Sequence, residues 1–265
     1  MRTTIVIPSR FGSTRFPGKP LADIAGKSLI QRVYEIGQAV EGVDDVIVAT
    51  DDDRIFEHVE GFSGKAVMTG ECVNGTERVW QAVEKMDTKP DVIINLQGDA
   101  VLTPPWTIQA VVDEMKADRS VLLCTPAVRM TDELYKKITD AKAQGEVGGT
   151  TVVFNKKHDA MYFSKNIIPY VRERVGEKLP VFRHIGLYGY TYACLERYLK
   201  LDPTELELTE GLEQLRALEN GIPIRVVEVS YDDPATGKAR THWAVDSPED
   251  AKRAEQIIAE EGELV

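Results

Sequence analysis

A chain of 265 residues can bury one large core, or a main domain with a smaller lobe, and 43% hydrophobic with 28% charged residues is the balance of a soluble globular protein. The net charge of −11 argues against non-specific binding to nucleic acid or a membrane surface. Three widely spaced cysteines (Cys72, Cys124, Cys194) with no C-x-x-C argue against a disulfide framework or a zinc site, and with no signal-like or membrane-spanning apolar run they lead us to expect a reducing, cytoplasmic setting.

The first predicted element is a buried strand ending at Ile7, where β-branched residues follow one another without polar alternation. It opens into a loop, Pro8-Ser9-Arg10-Phe11-Gly12-Ser13-Thr14-Arg15-Phe16-Pro17-Gly18-Lys19-Pro20, with two glycines and three cations. Such a loop behind a strand suits phosphate: backbone N–H groups converge on the oxygens and Arg and Lys supply charge. It is no Walker loop, since five residues separate Gly12 from Gly18 and Pro20 follows Lys19, and no G-x-G-x-x-G marks a dinucleotide site. Within the first forty residues six cations face only Asp23 and Glu35, a local positive excess in an acidic chain that suits a small anionic ligand.

Leu29 to Val40 has helical spacing, with Ser28 as N-cap. Val46 to Thr50 reads as a second buried strand, and Asp51-Asp52-Asp53 opens a helix as cap and dipole partners. Lys65 to Thr69 is a short strand, and Asn74-Gly75-Thr76-Glu77-Arg78 opens a further helix whose mouth either admits a ligand at the glycine beside Arg78 or is a turn and cap. Val92 to Leu96 is a strand with Gln97-Gly98-Asp99 at its carboxyl end, where open parallel sheets bind ligands and where a carboxylate can hold a hard cation on a phosphate. The alternation to about residue 117 predicts an α/β fold with a doubly wound, mostly parallel sheet.

Ser120 to Val128 reads as a strand, Thr131 to Gly149 as a polar stretch ending in a glycine-rich connection, and Thr151 to Phe154 with Ala160 to Ser164 as a hairpin. Ile185 to Tyr192 reads as one strand. Thr204 to Glu207 is a capping box that starts a helix carrying Leu208, Leu212, Leu215 and Leu218 to Gly221. Ile224 to Val229 is a strand, Tyr231 to Thr241 a loop, and Ser247-Pro248 a helix start directly after Val245-Asp246. A basic glycine loop with strand-end carboxylates Asp99 and Asp246 is equipment for phosphoryl or nucleotidyl transfer, which runs on positioning and charge neutralisation and needs no protein nucleophile.

The opening loop, with Ala49-Thr50-Asp51, Gly75-Thr76-Glu77-Arg78, Gln97-Gly98-Asp99, Tyr162-Phe163-Ser164, His184-x-Gly186-x-Tyr188-Gly189-Tyr190, Leu212-Glu213-Gln214-Leu215-Arg216 and Val245 to Asp250, resembles the 3-deoxy-manno-octulosonate (KDO) cytidylyltransferases in order and over nearly the whole chain. The resemblance implies transfer of a cytidylyl group from CTP to the anomeric hydroxyl of a 3-deoxy-2-keto sugar acid, KDO first among them, with release of pyrophosphate, with Mg2+ and as a homodimer. It also implies one nucleotidyltransferase-like domain over 1–265, with sub-regions 1–128 as nucleotide-binding core, 129–220 as a smaller sugar-binding and dimerisation lobe, and 221–265 as a return to the core. It implies that Arg10, Lys19, Asp99 and Asp246 are catalytic and that Asp99 and Asp246 bind the metal. Pro8, Ser9, Arg10, Ser13, Lys19, Asn74, Gly75, Arg78 and Gln97 would line the nucleotide, and Arg15, Lys165, His184, Tyr188, Glu213 and Gln214 the sugar. The chain departs from the family's pattern at Ala100-Val101 (Glu-Pro in the family), Lys165 (Arg), Asn74 (Ser) and a longer Asp232 to His242 segment. A modified acceptor such as an 8-amino or sialic-like acid, and a non-catalytic nucleotide-binding regulator, therefore stand as alternatives.

Overall fold

A computed structural model describes residues 1–12, 15–145 and 148–265. The chain divides into two compact units, Met1–Val112 with Tyr231–Val265, and Asp113–Ser230. In the first unit the chain begins with β1 (Thr3–Ser9), every residue of which is buried. A small hairpin, β2 (Asp23–Ile24) and β3 (Lys27–Ser28), follows. Then come α1 (Leu29–Gln38), β4 (Asp45–Thr50), α2 (Asp53–Gly61), β5 (Ala66–Met68), α3 (Gly75–Glu84), β6 (Val92–Asn95) and α4 (Pro105–Ala117). The four strands β5-β4-β1-β6 are parallel neighbours in that order, with Ile5 paired to Val46 on one side and Ile94 on the other. The chain thus steps outward from β1 to β5, then returns to the opposite side of β1 for β6. Connections leave the carboxyl ends of β1 and β6 in opposite directions there, which opens a crevice at that edge of the sheet.

The caps read from sequence are in place. Ser28 accepts a hydrogen bond from Gln31 N, Asp52 from Arg54 N and Asn74 from Glu77 N. Asp51 lies outside the helix and pairs instead with Arg78.

In the second unit β7 (Leu123–Arg129) pairs in parallel with a late strand and antiparallel with two others. The polar stretch after Thr131 is a helix, α5 (Asp132–Ala143), capped by the Thr131 side chain. Its one buried residue, Ile138, joins Met130 and Val181 in a small core cluster, so the apolar stripe is too thin to read from sequence. Residues 146–147 of the expected connection lie outside the described residues. The hairpin is β8 (Thr151–Phe154) and β9 (Ala160–Ser164). The expected strand over Ile185 to Tyr192 is in fact β10 (Phe182–His184), an interruption, β11 (Tyr188–Thr191), and then α6 (Tyr192–Leu199), which Thr191 caps through Cys194 N.

The expected leucine helix is also two pieces, α7 (Glu205–Glu210) and α8 (Gln214–Glu219), separated at Gly211 in the left-handed conformation (φ 63°). The turn is held by a buried ion pair: Glu207 meets the Arg216 guanidinium with both carboxylate oxygens and also accepts from Thr204 N. The last strand is β12 (Arg225–Val229), and the chain returns to the first unit as α9 (Pro248–Glu261), which begins at the expected Ser247 capping box. No helix among the described residues is long and apolar enough to cross a membrane.

Removing one partner of a buried ion pair strands the other charge. Glu207→Ala is therefore expected to lower unfolding stability by about 3 kcal/mol, read from the urea midpoint; an unchanged midpoint would show that solvent replaces the carboxylate freely.

Candidate active site

The crevice between β1 and β6 is a cleft of about 380 Å³ lined from the first unit by Pro8, Ser9, Arg10, Arg15, Lys19, Asn74, Gly75, Arg78, Gln97, Asp99 and Asp246, with Cys72 and Val73 at its edge. All expected nucleotide and metal residues in the described chain are gathered here; Ser13 lies outside the described residues.

Two glycines make the geometry. Gly18 takes φ 72° and returns its N–H to Phe11 O at 3.0 Å against the Phe11 ring, over which the Arg54 guanidinium also lies, 3.3 Å from the centroid. Gly98 lies so close to β1 that a Cβ there would stand 2.5 Å from Pro8 O, so no side chain fits. The floor of the cleft is consequently backbone against backbone, with Gln97 Nε2 tied to Asn95 Oδ1 at 3.0 Å.

Lys19 is the central group. Its ammonium donates to Asp99 Oδ2 at 3.2 Å, Val245 O at 2.8 Å and Asp246 Oδ1 at 3.3 Å, while Arg15 reaches the same Asp246 oxygen at 3.2 Å. The two carboxylates meet because Val245 N donates to Asp99 O and Leu102 N to Trp243 O. Asp246 is held in turn by Asp250, which accepts from the N–H groups of both Asp246 and Ser247 at the mouth of α9. Although 31% of the Asp99 side chain faces the cleft, burial pushes its pKa above the ordinary 3.8; Lys19 pulls it back and the charge of Asp246 pushes it further up.

Arg78 lines the cleft, but its buried guanidinium is engaged by Asp51 at 2.7 Å and Thr69 Oγ1 at 2.6 Å, bracing α3 against the ends of β4 and β5. Ser9 is 4% exposed and its hydroxyl has no hydrogen-bond partner among the described residues, a polar atom left for a ligand.

Of the residues expected at the sugar, Arg15 lies in the first unit's cleft beside Asp246, whereas Lys165, His184, Tyr188, Glu213 and Gln214 belong to the second unit. His184 packs edge-on against Phe163 and against Tyr188, with ring centroids 5.0 and 5.5 Å away. Its Nε2 lies 2.8 Å from Thr125 Oγ1, and that hydroxyl donates to Leu187 O at 2.7 Å, so the proton between them belongs on Nε2. Thr125, absent from the sequence reading, thereby fills the interruption between β10 and β11. Burial, with the positive charge of Lys165 added, pushes the His184 pKa down to about 3, making the ring a neutral hydrogen-bonding group. Burial raises the Tyr188 phenol, and Glu213 raises it further. Gln214 is 4% exposed with Nε2 unpartnered among the described residues.

The cytidylyltransferase family model matches residues 4–226. The chain belongs to this family. A relative from Maricaulis maris, a 3-deoxy-manno-octulosonate cytidylyltransferase, is 54% identical over 100% of both chains. Another from Shewanella piezotolerans, an 8-amino-3,8-dideoxy-manno-octulosonate cytidylyltransferase, is 39% identical over 98% of this chain and 99% of its own. A solved CMP:2-keto-3-deoxy-manno-octonic acid synthetase complexed with CTP superposes with a TM-score of 0.85 at 35% identity, covering 98% of this chain and 100% of its own. The resemblance read from the motifs is borne out, and the chain is a nucleotidyltransferase with the α/β fold expected.

The donor set of this cytidylyltransferase fits a small hard cation. Mg2+ is commonly held by one or two carboxylates with substrate phosphates and water completing the shell, and Asp99 with Asp246 provide two carboxylates that one cation, the Lys19 ammonium, already draws together.

The raised Asp99 pKa has a stability consequence. The folded state binds this proton more tightly than the unfolded chain, so the ionised carboxyl costs stability as pH rises from 3.8 through the raised value. Asp99→Asn is expected to abolish turnover in the presence of Mg2+, and in metal-free buffer to melt no lower than the unmodified protein at pH 7, the two curves converging below pH 4. A lower melting temperature at pH 7 would mean that Asp99 supports the fold.

Proposed function

We propose that this cytidylyltransferase transfers the cytidylyl group of CTP to the anomeric hydroxyl of a 3-deoxy-2-keto sugar acid, 3-deoxy-manno-octulosonate first among them. The anomeric oxygen bonds to the α-phosphorus as the bond to the β-phosphate oxygen breaks, the hydroxyl loses its proton, and pyrophosphate departs. The observation that carries the reading is the meeting of Lys19 with Asp99 and Asp246 in a phosphate-loop cleft, in a chain 54% identical to a relative of that name.

Arg10, Arg15 and Lys19 neutralise the triphosphate, and Lys19 with Arg10 stabilises the departing pyrophosphate. Mg2+ on Asp99 and Asp246 would add charge neutralisation at the reacting phosphate. Asn74, Gly75 and the α3 N-terminus, with Pro8, Ser9 and Gln97, bind the nucleotide; Arg78 acts by bracing that helix. In the second unit Lys165 meets the acid's carboxylate, and neutral His184, Tyr188, Glu213 and Gln214 bind sugar hydroxyls. A protonated Tyr188 and an unpartnered Gln214 amide are both donors, which suits a polyhydroxylated ligand.

A second reading, an 8-amino acceptor, is favoured by Lys165 in place of the family's Arg and by the relatives of that name at 39 and 40% identity. The proposal includes a homodimer in the cytoplasm; Met161 of β9 and Leu208 of α7 are apolar and 65% and 72% exposed, as a self-association surface would require.

Pyrophosphate release with Mg2+, four nucleoside triphosphates and a panel of 2-keto-3-deoxy acids (KDO, its 8-amino relative, a sialic acid) tests the reading. Release with CTP and KDO is expected, and Lys19→Ala is expected to cut kcat/KM for CTP at least a hundredfold, the order for losing one preorganised charge partner. Release only with the 8-amino acid would favour the second reading; CTP binding without release from any acid would leave the regulator.

A further inference from the structure

Lys165 follows β9 directly, and its peptide group is held from two directions by side chains that the sequence reading did not single out. Its N–H donates to Glu210 Oε2 at 2.7 Å, and its carbonyl accepts from the Lys142 ammonium. Glu210, the last residue of α7, uses its other oxygen for Ser164 Oγ at 2.8 Å and Tyr162 OH at 3.4 Å. Lys142, near the end of α5, also donates to Gly148 O at 2.9 Å. Beyond Lys165 the chain is pinned again: Ser164 Oγ accepts from Asn166 N, and Thr151 Oγ1 donates to Asn166 O at 2.6 Å and accepts from Ile168 N at 3.1 Å.

The charges complete the picture. Lys142, Lys165 and Glu210 carry one positive charge in excess, and the charge of Lys165 is felt at the neutral ring of His184. A guanidinium finds a carboxylate through its own planar fork, whereas an ammonium on a flexible stem is a point charge with no such guidance. Where Lys replaces Arg, aim has to come from the backbone that carries it.

We propose that Glu210 and Lys142 are positioning residues of the acceptor site, clamping the Lys165 peptide so that its ammonium meets the carboxylate of an acidic sugar. The inference rests on the acceptor reading given above. Glu210→Gln keeps the shape and, with its amide oxygen toward the Lys165 N–H and its NH2 toward hydroxyls that can also accept, keeps the partners but removes the negative charge that strengthens these hydrogen bonds and offsets Lys142 and Lys165.

Steady-state kinetics with saturating CTP and varied KDO, then the reverse, test the clamp on the unmodified enzyme, Glu210→Gln, Glu210→Asp, Lys142→Gln and the exposed control Lys136→Gln. Glu210→Gln is expected to raise KM for the acid about tenfold, the order for losing the charge assistance of these hydrogen bonds, with KM for CTP and melting temperature unchanged. Lys142→Gln should move in the same direction, Glu210→Asp should recover part of the loss, and Lys136→Gln should change nothing. Should Glu210→Gln fail to fold, Lys142→Gln carries the comparison alone. Normal turnover with an unchanged acid KM overturns the clamp and leaves the acceptor reading standing. Equal losses for CTP and acid, or losses that follow melting, reduce both residues to structural supports and overturn it as well. Absence of acid-dependent turnover in the unmodified enzyme overturns the acceptor reading and the clamp together.

Discussion

The cleft depends on one ammonium group. Asp99 and Asp246 are far apart in the sequence, and left alone two such carboxylates would repel each other in a partly desolvated site. Lys19 lies between them, donating to both and to the carbonyl of Val245. The arrangement supplies the electrostatics the proposed reaction requires: a cation that would pass to phosphate, and a carboxylate pair that would receive a metal in its stead. The upward shift of Asp99 is the cost of that readiness, and it is of the kind found where function and stability pull apart.

That cluster forms only because backbones approach closely. The reversal of strand order at β1 places the β1 and β6 ends side by side, and Gly98, with no room for a Cβ, lets the Gln97-Gly98-Asp99 turn lie against Pro8. Gly18 then folds the basic loop over Phe11 so that Lys19 reaches in. The Ser247 capping box fixes Asp246 from the other side. Each device is local, and the site is where they coincide.

How much of this could be read beforehand follows the range of the interactions. Local signals were legible: the β-branched runs of β1 and β6, the caps at Ser28, Asp52, Asn74 and Ser247, and the hairpin of β8 and β9. Lys19, Asp99 and Asp246 were legible as chemistry, but their contact across 80 and 227 residues of sequence was not. The break at Gly211 was hidden because Leu208, Leu212, Leu215 and Leu218 keep helical spacing across it. Helix α5 was hidden because it buries almost nothing, and Tyr192 was taken for strand because aromatic residues also suit β structure. Arg78 lines the cleft with the other expected nucleotide residues, and its engagement with Asp51 and Thr69 is a tertiary fact with no sequence signature. Glu210 and Lys142 act through a neighbour's main chain, which no pattern of side chains announces.

A crystal structure of the enzyme with CTP and Mg2+ tests this account most directly. The account predicts triphosphate density in the cleft between Arg10, Lys19 and the N-terminus of α3, with the Lys19 ammonium moved from the two carboxylates onto phosphate oxygens and the metal between Asp99 and Asp246. Triphosphate bound elsewhere, or bound here with Lys19 still bridging Asp99 and Asp246, would contradict it.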